Sequence, residues 1–131
     1  MNTTYYKNLV MKGLFHGELV NLPEEYYLGF SSSLPNADGT GASEPSGTSS
    51  GYARVNLENM TSPENGVIRN SNPISFQESA DAWGELVAYV VYDASTDGNL
   101  LFYGNLGRSI SVDANTVVTI PAGELVISLL D

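Results

Sequence analysis

The sequence contains no cysteine. Disulfides and thiolate metal centres are therefore excluded, and cysteine usage says nothing about the redox compartment. Histidine is almost absent too: His16 stands alone, so a two-histidine metal site is excluded by count. Its place at the end of a predicted helix gives it a structural role, because a cation there suits the helix dipole. No G-x-S-x-G string set between a strand and a following helix is present to make a nucleophile elbow. Basic residues are scarce, five against fifteen acidic, for a formal net charge of −10. That balance opposes nucleic acid and anionic membranes, both of which would repel the chain, and it keeps a protein soluble at high local concentration. Long apolar runs are missing as well. The longest, "LVAYVVY", has the length of a strand rather than a membrane span. The opening "MNTTYYKNLV" lacks the basic n-region and apolar core of a signal peptide, so export through a signal is not expected.

What remains is 131 residues, 42% hydrophobic and 10% aromatic, with eight tyrosines. One domain spanning 1–131 is expected, large enough to bury a real core. Residues 3–16 predict a short helix, within an N-terminal segment 1–17. Tyr6, Leu9, Val10 and Leu14 form one apolar stripe, Thr3 or Thr4 caps the start, and Gly17 closes the end. Gly13 either weakens this helix or allows a close neighbour. Everything after it reads as β. Strands are expected at 24–33, 51–59, 67–77 (broken by Pro73), 85–94, 100–106, twice within 109–120 around Asp113-Ala114-Asn115, and at 125–131. The 85–94 run is apolar on both faces and predicts a central strand. The last strand is expected inside a sheet. Residues 60–66 carry turn chemistry, 78–84 read as irregular with at most one helical turn, and Asp97-Gly98 centres a hairpin turn. Short strands at regular spacing predict a mainly β protein: an antiparallel β-sandwich, jelly-roll or Ig-like, with one N-terminal helix.

Between the first two strands lies a long Gly/Ser/Pro loop, 34–51. Its "GTGASEPSG" resembles a phosphate cradle only in glycine content. Glu44 and Pro45 stand where a lysine would be needed, and no helix follows to offer its N-terminus. Asn36 with Asp38, and Asp93 with Asp97 and Asn99, are the best calcium clusters, yet neither fits an EF-hand loop, and turns carry such residues for conformational reasons. The Glu24-Glu25 pair is the sort any acidic chain contains, and gives no ground for glycosidase chemistry. No catalytic residue, cofactor or metal is expected.

Three ordered segments carry a resemblance: "YYLGFSSSLPNADGTGASEPSGTSSGYARVNL", "ISFQESADAWGELVAYVVYDASTDGNLLFYGNL" and the close "SISVDANTVVTIPAGELVISLLD". Together they resemble a family of small tailed-bacteriophage virion proteins, whose members are loosely labelled tail fibre or minor structural proteins. The resemblance implies a non-enzymatic building block of a virion, put together in the host cytoplasm. The expected placement is capsid decoration, on the outer head surface; the alternative is a tail fibre, tail-tip or baseplate component with host-glycan binding. Expected partners are other copies of the chain, as a homotrimer, and the major capsid protein or other virion proteins, with no nucleic acid and no membrane. The candidate interface comprises Tyr5, Tyr6, Glu44, Pro45, Tyr52, Arg54 and Trp83. The long loop is read as an arm ordered by a neighbour, and Arg54 is expected to pair with an acid from a neighbouring strand or subunit.

Overall fold

The structure is a computed structural model that describes residues 1–17, 23–45 and 48–128. Among the described residues its elements are one α-helix, α1 (Thr4–Phe15), a short 3-10 helix at Thr48–Ser50, and eight strands: β1 (Tyr27–Ser31), β2 (Val55–Asn56), β3 (Val67–Arg69), β4 (Ile74–Ser75), β5 (Gly84–Tyr92), β6 (Leu100–Val112), β7 (Thr119–Ile120) and β8 (Val126–Ser128). All pairing is antiparallel. A four-stranded sheet has the order β2-β1-β5-β6, and β3-β8 and β4-β7 form two small ladders. The protein is mainly β and β-sandwich-like.

The run read as a central strand is central: β5 lies between β1 and β6. Its register explains why it is apolar on both sides. Val91 sits opposite Leu28 and Phe102, and together with Phe30 and Leu101 these side chains belong to the large core. Val90 lies between Gly29 and Tyr103 and, with Tyr92 and Leu100, forms a smaller cluster against Ala42 of the long loop. The large core is closed by Ile74, Phe76, Trp83, Val118, Leu125 and Ile127, most of them from the small ladders and the segments beside them. Phe30 and Phe76 stack with centroids 4.7 Å apart across this layer. Each such side chain contributes about 1.5–3 kcal/mol on leaving water.

Buried polar side chains pin the irregular connections. Asn70 donates to the carbonyls of Asn72 and Pro121, and its own side-chain oxygen accepts from the Leu125 amide. Ser79 donates to the Asp113 carbonyl and accepts from the Thr116 amide. These bonds hold segments too short or too interrupted to form long ladders, and they leave the buried amide and hydroxyl paired.

Several expectations are corrected in detail. The 67–77 strand is two strands, with Pro73 in the break, as its missing N–H requires. The 100–106 strand does not end at Leu106; β6 runs to Val112, and the register shift opposite Leu86–Ala88 makes residues 106–109 a bulge, with Gly107 at φ +79°. Consequently 109–120 contributes the end of β6 and the two-residue β7. Only Val55–Asn56 of 51–59 is strand. Residues 78–84 hold no helical turn. The final strand pairs with β3 alone in its ladder rather than lying inside a sheet, and residues 129–131 of that expectation fall outside the described residues.

The N-terminal segment caps the sheet edge. The Met1 nitrogen donates to the Tyr103 carbonyl, the Tyr103 amide to the Met1 carbonyl, and the Thr3 amide to the Leu101 carbonyl. This lays an extra stretch of backbone along the free side of β6, which would otherwise be an open edge. Thr3 then starts α1. Its hydroxyl donates to the Leu100 carbonyl at 2.7 Å and accepts from the Tyr6 amide at 3.3 Å. Tyr6 packs on Phe102 with centroids 4.7 Å apart. The expected stripe is realised in its first part: Tyr6, Leu9 and Val10 are half-buried. Leu14 is not part of it and is 69% exposed. Replacing Thr3 with Val removes both hydroxyl bonds and keeps the shape. The expected loss is about 1–3 kcal/mol, read as a lower urea midpoint, with faster amide exchange in α1 before the rest of the chain.

Candidate docking surface

The seven residues singled out from the sequence fall into two groups. Glu44, Tyr52, Arg54 and Trp83 come together inside the chain, with Pro45 beside them. Tyr5 and Tyr6 lie on α1, where Tyr5 is exposed and Tyr6 is half-buried.

The first group is built around Arg54. Its Nη2 and Nε donate to the Glu44 carboxylate at 2.7 and 3.0 Å, and Nη1 donates to the carbonyls of Ala94 and Asp97, both at 2.8 Å. The guanidinium carbon lies 3.7 Å from the centroid of the Tyr92 ring. The side chains are only 8% and 18% exposed, so this is a nearly buried, two-point ion pair with a cation–π face. Arg54 therefore pairs with an acid as expected, but with one ten residues back in the loop rather than on another strand. Tyr52 completes the arrangement. Its hydroxyl donates to Glu44 Oε2 at 2.5 Å and accepts from the Phe30 amide at 3.0 Å. Room for this exists because β1 carries Gly29 there; a Cβ would meet Tyr52 Oη at 2.3 Å and Glu44 Oε2 at 2.7 Å. Trp83 stands edge-on to the Tyr52 ring, 5.3 Å between centroids, and its indole N–H donates to the Ser50 carbonyl.

Two sequence expectations change here. Trp83, expected at an interface, is 6% exposed and belongs to the large core, so its ring is closed to a partner or a glycan. The aromatic content of an irregular segment gave no sign of that, since burial came from Tyr52 and Phe76 on other segments. The loop at 34–45 is not a free arm. The Ser32 amide donates to the Ser43 carbonyl, the Ser43 amide to Ser31 Oγ, and Ser33 Oγ to the Gly41 carbonyl. Its described residues are ordered by their own chain. Residues 46–47 lie outside the described residues.

The acidic clusters are turn devices. Thr40 donates its amide and hydroxyl to Asp38, and these bonds hold the Asp38 carboxyl below its usual range. Asp93 accepts the amide and side-chain N–H of Asn99 across the β5–β6 turn. Among the described residues no group of three or more His, Asp or Glu is placed to hold a metal ion. His16 forms the C-cap of α1, donating its backbone N–H to the Lys12 carbonyl.

On the surface, the notable feature is the far side of α1. Met11, Leu14 and Phe15 are 52%, 69% and 74% exposed. Their spacing of three and four residues places them on one face, away from Leu9 and Gly13. The helix is apolar on two sides, only one of which its own chain covers. Sequence reading missed this second face because Leu14 had been assigned to the first. Beside the helix, an apolar groove of about 240 Å³ is lined by residues including Tyr6, Tyr26, Leu57, Met60, Ile68 and Phe102.

The chain is mainly β, with its described polar clusters engaged in holding loops and an apolar face left open on α1. The particular family follows from comparison: residues 1–128 match the family model described as podophage GP4 fiber I protein gp80, and the chain belongs to that family. The resemblance to small tailed-phage virion proteins is thereby confirmed. The family is one of phage structural proteins, described by its model as a fibre protein. No curated protein matches the chain. No helix among the described residues is long and apolar enough to cross a membrane.

Two outcomes are expected of the Arg54 cluster. Arg54→Met leaves the Glu44 carboxylate nearly buried without its partner and should lower stability by about 3 kcal/mol; in a double-mutant cycle with Glu44→Gln the second change should cost much less than it does alone. Alkaline pH is the second. Burial first, then the hydrogen bond to Glu44, holds the Tyr52 phenol well above its ordinary range, and burial raises Tyr6, Tyr89 and Tyr92 as well, by less. The unfolded chain loses these protons near pH 10 while the folded chain retains them. Stability is thus complete below about pH 10 and falls as pH rises above it. Urea midpoints between about pH 9 and pH 11.5 should decline, and Tyr52→Phe should start lower at neutral pH but decline less steeply.

Proposed function

We propose that this chain is a component of the virion's fibre apparatus that docks to its neighbours in the assembly, whether copies of itself or other virion proteins, through the outer face of α1. The observation that carries the placement is the family description, which names a fibre protein and covers nearly the whole chain. The fold supports a docking role. The loop polar groups described above find partners within the chain, so the body arrives at its site already ordered and little entropy is lost in holding it there. Met11, Leu14 and Phe15 are the exposed apolar side chains grouped on one helix face.

Capsid decoration is the second reading. The small acidic body, with no repetitive shaft in its sequence and a charge of −10, suits a protein displayed densely on a head surface. Reconstruction of the intact particle, with quantitative mass spectrometry of its proteins, separates the two. Density for this chain in the fibres, at a stoichiometry set by the tail's symmetry, is the expected result. Density arrayed over the head at a stoichiometry comparable to the shell protein would replace the fibre reading with the decoration reading.

A further inference from the structure

The chain is electrostatically lopsided in a way that matches its two open apolar features. Residues 1–17 carry two of the five basic residues, Lys7 and Lys12, and none of the fifteen acidic ones. The remainder holds three arginines against all fifteen carboxylates. The apolar face of Met11, Leu14 and Phe15 therefore belongs to the basic part. The groove lined by Tyr6, Tyr26, Leu57, Met60, Ile68 and Phe102 belongs largely to the acidic part. Acidic residues adjoin its lining along the chain: Glu24 and Glu25 lead into Tyr26, and Glu58 follows Leu57, all three exposed. A smaller hollow continues it past Pro63 and Val67, where Glu64 is exposed.

We propose that the occupant of the groove is α1 of a second copy of this chain, with Leu14 and Phe15 seated against Leu57 and Met60, and Lys12 facing Glu58. The apolar contact supplies the attraction, and the opposite charges select which surface meets which. The helix face and the groove are different surfaces of one chain, so the contact closes either as a reciprocal twofold dimer or, head to tail, as a ring. A helix seated by its apolar face in a groove is a common mode of recognition. The proposal rests on the structural role of the chain but not on its place in the particle, so the reconstruction that tests placement leaves it standing or falling separately.

The absence of cysteine makes the test direct, because introduced thiols are the only ones present. Phe15→Cys and Met60→Cys chains would be made separately, checked for native circular dichroism, mixed and oxidised. The expected product is a cross-link between the two variants that exceeds either self-cross-link by about tenfold, an excess that narrows when 1 M salt is present during oxidation, because salt screens the selecting charges and leaves the apolar contact. Sedimentation of the unmodified chain should show a closed oligomer. Leu14→Ser with Phe15→Ser, both at exposed positions, should return it to monomer. Lys12→Glu should weaken the oligomer, and adding Glu58→Lys should restore it. An unmodified chain that stays monomeric up to about 1 mM would overturn the proposal. So would a Phe15 self-cross-link as the dominant product, which would mean helix pairing with helix. An oligomer indifferent to the Leu14/Phe15 change, or a helix that binds a purified neighbouring virion protein while its own chain remains monomeric, would overturn it as well.

Discussion

Arg54 cannot give up its charge, and its side chain is almost wholly covered, so the fold must supply partners for its N–H donors. The way it does so organises half of the molecule. Glu44 comes from the long loop, Ala94 and Asp97 from the β5–β6 turn, Tyr92 from the end of β5, and Tyr52 from the approach to β2. The segments that bring Glu44 and Tyr52 are not held there by a long ladder. The loop has no strand of its own, and β2 is two residues long. The ion pair is what fixes their mutual position, and its energetic role is conditional. With both charges present the desolvation cost is offset by good geometry; with one missing, the other is stranded.

The same site joins the two faces of the main sheet. Tyr52 packs edge-on to Trp83 in the large core, yet its hydroxyl reaches the Phe30 amide on β1 and the Glu44 carboxylate. Ala42 of the loop covers the smaller cluster of Val90, Tyr92, Leu100 and Tyr103. The loop thus serves as part of a second covering layer, supplied by irregular backbone and tied down by serine hydroxyls and one carboxylate. Gly29 is the complement of that arrangement, since any side chain there would occupy the space Tyr52 and Glu44 share.

How much of this could be read from the sequence depended on the range of the interactions. The helix declared itself through Thr3, the early stripe and Gly17, which takes φ +62° just past its end. β5 declared itself because it is apolar on both faces, and Asn65-Gly66 and Asp97-Gly98 announced turns whose positive φ values they adopt. The strand pairs at Ile74–Ser75 and Thr119–Ile120 could not be foreseen, because two residues hold no periodicity and their partners lie 44 or more positions away. The bulge at Gly107 looked like a strand end for a related reason: a local break in alternation does not say whether the ladder resumes. Arg54 was singled out for its rarity and its need of an acid, but which acid was a matter of how the loop folds back. Trp83 was misplaced because only contacts distant in sequence bury it.

The helix shows how a local pattern can conceal function. Read as a single stripe, α1 joins Leu14 to Tyr6, Leu9 and Val10 and leaves nothing over. In the fold, the inward face ends with the second turn, and Leu14 goes with Met11 and Phe15 on the other side. Burying a side chain of that kind is worth about 1.5–3 kcal/mol, so leaving three of them exposed on one turn forgoes a stabilisation comparable to much of a small domain's margin. The helix is held at its start instead, by Thr3 and by backbone bonds along β6. That anchorage lets the exposed turn be presented at a fixed angle without depending on its own apolar residues for stability. In an otherwise acidic chain, the basic and apolar end of α1 is thereby left open, as the proposed intermolecular contact requires.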